Sequence, residues 1–285
     1  MHPINAEFFD FYFKSSAWHR YIYLAGDSGA RHDRVSIRDD VFFAMPINLP
    51  SAAEQNKISI LLTLIEKKIK AQFALVENLK KYKRGLISSF LSEKIKFSDE
   101  PWEERTIGDF LASKSIKQLP TTEAPLMAFT ATGGVCDKGA RYDRGFLVKD
   151  ASSKLYKRTD YGDFIYSSNN LDVGSIGLNL YGSAVISDVY EIFTIKGADP
   201  WFISEVIQQK TIMRDILKFR QGCLYGQYRI YAEDFLSVKI RIPSLPLQTK
   251  IGSVISKVES KILAEQGLLE YLEKCKASLL QMMFI

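Results

Sequence analysis

The chain is poor in the residues from which most metal and catalytic sites are built. It has three cysteines and three histidines in 285 residues. His2, His19 and His32 sit near the N-terminus, whereas Cys136, Cys223 and Cys275 lie far from them and form no C-x-x-C pair. That distribution excludes a His/Cys metal site or a His-dependent triad in the body of the chain. Free thiols in a reducing compartment are expected. No apolar run reaches the length of a bilayer-spanning helix, and no charged segment followed by an apolar core opens the sequence. A soluble, cytoplasmic protein without a membrane partner is the expectation. A net charge of +5 permits a nucleic-acid partner without demanding one. There is no Walker A motif, no Asn/Asp-Pro-Pro-aromatic motif and no convincing carboxylate-lysine nuclease cluster. Ser167, Ser168, Asn169 and Asn170 followed by Gly174-Ser175-Ile176-Gly177 lack the Lys-Ser/Thr ending of a phosphate loop and read as glycine turns between strands. No catalysis, cofactor or metal is expected.

What the chain does have is a repeat. Leu49-Pro50-Ser51 with Gln55, Lys57 and Ile58 returns as Ile242-Pro243-Ser244 with Gln248, Lys250 and Ile251, an offset of 193 residues. The same offset pairs Glu66 with Glu259, Ile69 with Ile262, Leu79 with Leu272 and Leu86 with Leu279. Upstream it places Ile37, Phe42 and Ile47 on Ile230, Phe235 and Ile240. A period this long is a duplicated domain plus helix, not a solenoid. The order is therefore the tail of a domain (1–48), a long helix (49–97), a complete domain (98–241) and a second long helix (242–285), with the start of the first copy missing.

In the first helix, Ile58, Leu62, Ile65, Ile69, Gln72, Val76, Leu79, Lys83, Leu86 and Phe90 form a seam of period 3.5, and Ile251 to Met283 repeats it in phase. Each helix spans at least 33 residues, a rod about 50 Å long. Such a rod outruns a domain about 30 Å across, so an antiparallel coiled coil is expected rather than each helix lying on its own domain. Pro50 and Pro246 are expected to precede the two helices. Both seams are interrupted at matching places, Gln72 with Glu265 and Lys83 with Lys276. One antiparallel register faces Lys83 with Glu265, Gln72 with Lys276 and Leu79 with Leu269, and that register is predicted.

Residues 102–241 read as a mixed α+β domain. Strands are expected at 124–130, 162–167 and 184–193, and a helix from Pro200 to Phe219. Its loops are basic and aromatic. Lys138, Arg141, Tyr142, Arg144, Lys149, Lys154, Tyr156, Lys157, Arg158 and Tyr161 crowd one stretch, diluted by five aspartates. Arg214, Lys218, Arg220, Gln221, Tyr225, Gln227, Tyr228 and Arg229 crowd another. Cations neutralise phosphates and Arg, Asn or Gln read base edges, so Arg141, Tyr142, Arg144, Lys154, Lys157, Arg158, Asn169, Asn170, Arg220, Gln221, Tyr225 and Arg229 are the candidate DNA contacts. A solvated surface is the alternative.

With Leu49-Pro50-Ser51-Ala52-Ala53-Glu54-Gln55-Asn56-Lys57-Ile58, its echo at Ile242 to Ile251, and Gly162-Asp163-Phe164-Ile165 ahead of Asn170-Leu171-Asp172-Val173-Gly174-Ser175-Ile176-Gly177, the chain resembles the specificity subunit of type I restriction-modification systems. The resemblance implies target-recognition domains that each read half of a split site in double-stranded DNA. It implies helices that space those domains and bind methyltransferase (M) subunits, with the nuclease (R) subunit joining later. It implies no catalysis by this chain. Two departures stand out: the first recognition domain is represented by residues 1–48 alone, and the second copy's Glu-Gln pair has become Leu247-Gln248. A truncated or recombined subunit, a half-subunit that pairs as a homodimer, and an inactive remnant acting only in coiled-coil assembly all remain open. An enzyme acting on nucleic acid is the least expected.

Overall fold

The computed structural model describes residues 5–28, 35–92, 94–95, 97, 99–131, 133–137, 153–169, 171–224 and 227–284. The chain divides into two units, residues 1–82 with 259–285, and residues 83–258.

The first unit contains α1 (Ala6–Lys14), α2 (His19–Ala25), the two-residue strands β1 (Asp27–Ser28) and β2 (Val35–Ser36), α3 (Asp39–Phe43) and most of α4 (Ala52–Leu91). α4 begins in a capping box: Ser51 N donates to Glu54 Oε2 at 3.0 Å and Glu54 N to Ser51 Oγ at 3.3 Å. The apolar face of α1, Phe8, Phe11 and Tyr12, is buried with Leu62 and with Phe284 from the far end of the chain. The rings of Phe8 and Phe284 are 5.1 Å apart. The start of the first long helix thus lies beside the end of the last one, which fixes an antiparallel pairing.

The second unit holds β3 (Glu103–Thr106), a 3-10 turn, β4 (Leu111–Ser113), β5 (Lys117–Gln118), β6 (Ala128–Thr130), β7 (Gly134–Cys136), β8 (Tyr156–Thr159), β9 (Phe164–Ser167), β10 (Ile176–Leu178), β11 (Ala184–Ile186) and β12 (Tyr190–Ile195). It continues with α5 (Pro200–Ile207), α6 (Lys210–Leu217), a hairpin of β13 (Gln221–Leu224) and β14 (Gln227–Arg229), α7 (Ala232–Ser237), β15 (Lys239–Ile242) and the start of α8 (Leu245–Met283). The central sheet is antiparallel, in the order β10-β9-β12-β4; a second is ordered β11-β8-β5, and β15 pairs with β3. The core is an aromatic stack in which Phe235 lies 4.4 Å from Tyr166 and 5.6 Å from Phe193. Burial pushes the Tyr166 phenol upward in pKa, and its hydroxyl donates to Ile230 O at 3.0 Å. Ile87 and Phe90 of α4 and Leu247, Ile251 and Ile255 of α8 join the same core.

The two units repeat one device. In the first, Asn5 N donates to Gln55 Oε1 at 3.0 Å while Gln55 Nε2 donates to Pro50 O at 3.0 Å. In the second, Asp199 N donates to Gln248 Oε1 at 3.2 Å and Gln248 Nε2 to Pro243 O at 2.8 Å. Asn5 and Asp199 also cap the helices that follow them, accepting from Phe8 N and Phe202 N. Both glutamines are buried. The second copy's missing glutamate is replaced in space: Glu100 accepts from Ser244 N at 3.1 Å and from Ser244 Oγ at 2.9 Å.

Several expectations are corrected. The polar seam residues do not pair as predicted. Gln72 Nε2 donates to Glu265 O at 2.9 Å and Oε2 at 2.6 Å, eleven residues before Lys276 and so about 16 Å along the helix from it. Lys276 instead meets Glu66 at 2.6 Å, and Lys83 meets Glu205 at 2.5 Å. Each lysine finds a carboxylate within its own unit. The helices, 40 and 39 residues long, satisfy the expected minimum of 33, but their ends do lie on domains. Pro246 lies inside the first turn of α8, where its missing N–H leaves no bond unmade; Pro243 is the counterpart of Pro50. The strand expected at 184–193 is two strands in different sheets, broken where Tyr190 N turns back to Ser187 O. The helix expected at Pro200–Phe219 breaks at Gln208 and Gln209 into α5 and α6.

Candidate nucleic-acid interface

The hairpin β13–β14 gathers several of the candidate residues. Asn169 forms an antiparallel bridge with Arg229, so the end of β9 lies against the hairpin. Gly222 has a φ of +72°, a left-handed conformation that L side chains adopt with strain, and it sits in a register irregularity of the strand. Tyr228 fixes the hairpin from the other side: its hydroxyl donates to Asp172 Oδ1 at 2.6 Å and accepts from Asp172 N at 2.9 Å. Arg220 lies over the Tyr228 ring, 5.2 Å from its centroid, and its Nε donates to Leu217 O. Gln221 Nε2 donates to Asp234 Oδ2 at 2.7 Å.

One carboxylate links this group to the sheet. Glu191 on β12 accepts from Lys157 Nζ at Oε2, 2.8 Å, and from Arg229 at Oε1, 3.1 Å. Lys157 also donates to Tyr190 O, and its side chain is 12% exposed, which makes it a buried strut with little charge left for a ligand. Arg158 points elsewhere, to Gln118 Oε1 and Asp160, with 38% of its side chain exposed. Lys154 is exposed beside the Tyr156 ring, 5.3 Å from its centroid. The structure thus brings together Asn169, Arg220, Gln221, Arg229 and Lys157, and leaves Lys154 and Arg158 apart from them. Arg141, Tyr142, Arg144, Asn170 and Tyr225 lie outside the described residues.

Behind Arg158 is a second ionic group. Lys114 Nζ reaches Asp160 Oδ2 at 2.7 Å and Asp163 Oδ2 at 2.6 Å, and Ser183 Oγ donates to Asp160 Oδ1 at 2.7 Å. Burial raises the Asp160 pKa, but hydrogen bonds from Arg158, Lys114 and Ser183 outweigh it and hold the carboxyl well below its usual range. Sequence reasoning missed Glu191, Asp172 and Asp234, the acids that position the hairpin. Their signal is weak, because an acid that anchors a cation is indistinguishable in sequence from one that dilutes a basic surface. Among the described residues no group of three or more His, Cys, Asp or Glu side chains is placed to hold a metal, and no helix is long and apolar enough to cross a membrane.

Comparison with known proteins places this architecture. No curated protein sequence matches the chain. The structure is similar to that of the type I restriction-modification S subunit from M. genitalium, with a TM-score of 0.64 and 16% identity over 99% of this chain and 73% of that one. It is also similar to a chain from a structure describing complex assembly and conformational transition of the type I R-M system, with a TM-score of 0.50 and 14% identity over 96% of this chain and 69% of that one. Likeness at this identity concerns the fold. The family model for the type I restriction modification DNA specificity domain matches residues 99–274, more than half of the sequence, and the chain therefore belongs to that family.

Proposed function

We propose that this chain is a non-catalytic, cytoplasmic DNA-specificity subunit whose complete domain, 98–241, reads one half-site of duplex DNA while its two long helices dock methyltransferase subunits and, through them, the nuclease subunit. The observation that carries this reading is the hairpin. Arg220, Gln221 and Arg229 are presented beside Asn169 on a strand pair pinned by Tyr228, Asp172 and Glu191. Guanidinium and amide groups on a braced hairpin suit base-edge readout, for which the donors must be oriented before DNA arrives. The helices support the docking role by exposing apolar residues away from their seam, among them Ile60, Leu64, Phe73 and Tyr271 at 57% to 63% exposure.

Residues 5–48 are read as the closing part of a second recognition domain. α1, α2, β1, β2 and α3 follow the order of α5, α6, β13, β14 and α7. At the 193-residue offset, fully buried Phe235 of α7 corresponds to half-buried Phe42 of α3, while Leu236 and Leu217, which pack on the core, correspond to Phe43 and Leu24, 82% and 76% exposed. Among the described residues of the first unit no counterpart of that sheet is present. The test is reconstitution with methyltransferase subunits and sequencing of the methylated sites. A defined methylated half-site that disappears with this chain supports the reading.

A second reading, an assembly protein without DNA recognition, draws on the pairing of Lys157 and Arg229 with Glu191 and of Arg158 with Asp160. Methyltransferase binding without duplex binding would select it.

A further inference from the structure

The cations best placed to meet a DNA backbone are not Lys157, Arg158 or Arg229. Lys157 and Arg229 share one carboxylate and Arg158 is engaged by Asp160. Helix α6 is different. Ile216 is fully buried and Ile212, Met213 and Leu217 pack on the core, so the opposite face looks outward. That face carries Lys210, Arg214 and, at the cap, Lys218, all exposed. Spacings of four residues stack them on one side of the helix, about 6 Å apart and about 12 Å from first to last. Among the described residues neither Lys210 nor Arg214 meets a carboxylate, and Lys218 meets only Asp215 in a surface pair 2.5 Å long with the lysine 73% exposed. Such a pair holds its lysine weakly.

The stripe leads into the hairpin. Arg220 follows it, bonded back to Leu217 O and stacked on Tyr228. The internal repeat supplies a control for what the fold itself requires. The glutamine clasp and the helix caps recur in both units, whereas α2, which follows α1 as α6 follows α5, carries Arg20 as its only lysine or arginine. Packing of this helix does not call for three cations.

Resting on the reading of this chain as a DNA-specificity subunit, we propose that Lys210, Arg214 and Lys218 form a phosphate-binding stripe that seats the duplex backbone beside the β13–β14 hairpin. B-DNA carries one charge per about 1.7 Å of axis, so a stripe of about 12 Å faces several phosphates. It supplies affinity and register, and the hairpin supplies sequence.

The test is anisotropy titration of the full chain with a mixed-sequence duplex across a salt series, comparing the unsubstituted protein with a variant carrying Lys210→Ala, Arg214→Ala and Lys218→Ala. Each phosphate contact contributes about 0.9 to the slope of log affinity against log salt, so the variant's slope is expected to fall by about 2.7. Between 50 and 200 mM salt its loss of affinity should then be about forty-fold smaller than that of the unsubstituted chain. Lys239→Ala, at the β3–β15 edge, should leave the slope alone. An unchanged slope in the triple variant overturns the stripe and leaves the specificity reading standing. No duplex binding by the unsubstituted chain overturns both. Should the triple variant lose its cooperative melt, Arg214→Gln alone carries the test, with an expected loss of about 0.9.

Discussion

At the scale of single residues, the domains depend on buried polar groups as much as on apolar ones. Gln248 is 2% exposed and joins Asp199 N to Pro243 O. Gln248→Leu keeps the volume but leaves both backbone groups buried without a partner, a cost of about 1 to 3 kcal/mol for each. Urea unfolding should show a loss of at least about 2 kcal/mol, and Gln55→Leu should destabilise the first unit in the same way. Gly252 is a neighbouring constraint: a Cβ there would stand 1.9 Å from Asp199 Oδ1, so Gly252→Ala should displace the cap. Asp160 gives a pH dependence whose sign is fixed by its depressed folded-state pKa. Its contribution is fully present above the unfolded carboxylate value near 3.8 and is lost as pH falls from there toward the folded value. Asp160→Asn should flatten the acid limb of a stability profile below about pH 4 while lowering the plateau above it. An acid limb identical to that of the unsubstituted protein would show that Asp160 carries no such linkage.

At the scale of elements, the helices were legible and their register was not. Period 3.5 marks the seam positions, and every one from Ile58 to Phe90 is at least partly buried. The register failed because charge matching was sought within the seam, while Lys83 reached Glu205 on α5 and Lys276 reached Glu66 outside it. A long side chain at a seam edge can turn to either flank, and sequence spacing does not say which. The broken strand at 184–193 escaped for a related reason: Asp188 between Ile186 and Tyr190 looks like the polar face of one alternating strand, with no glycine or proline to mark the turn. The grouping of Arg220, Gln221 and Arg229 is visible in sequence because they cluster there, whereas Glu191, 38 residues from Arg229, joins them only through folding. One consequence is testable on the seam itself. Gln72→Leu with Glu265→Leu replaces a polar pair by an apolar one, and thermal melting is expected to rise because desolvating the pair opposes packing. A lower melting temperature would mean that Gln72 and Glu265 add net stability.

At the scale of the whole molecule, duplication explains both what recurs and what does not. The glutamine clasp, the cap and the long helix recur because each unit must join a domain to the start of its own helix, and this much was readable as a fixed offset in sequence. The braced hairpin does not recur, because its braces are borrowed. Glu191 comes from the central sheet, Asn169 and Asp172 from the segment that follows its strand β9, and among the described residues the first unit has no such sheet, only the pairing of β1 with β2. A hairpin without those supports cannot orient guanidinium and amide donors against base edges, and each well-formed bidentate pair is worth about 1 to 3 kcal/mol of discrimination. A complex reconstituted with these 285 residues as its only specificity chain is therefore expected to methylate a motif with one defined half, or with two inverted copies of it where two chains pair. Arg229→Ala should relax the preference at one position of that half, by about 1 to 3 kcal/mol, in a competition assay with single-base variants. Two unrelated halves in the methylated motif would show that residues 5–48 still read DNA, and that readout does not need the sheet-borne acids of the second unit.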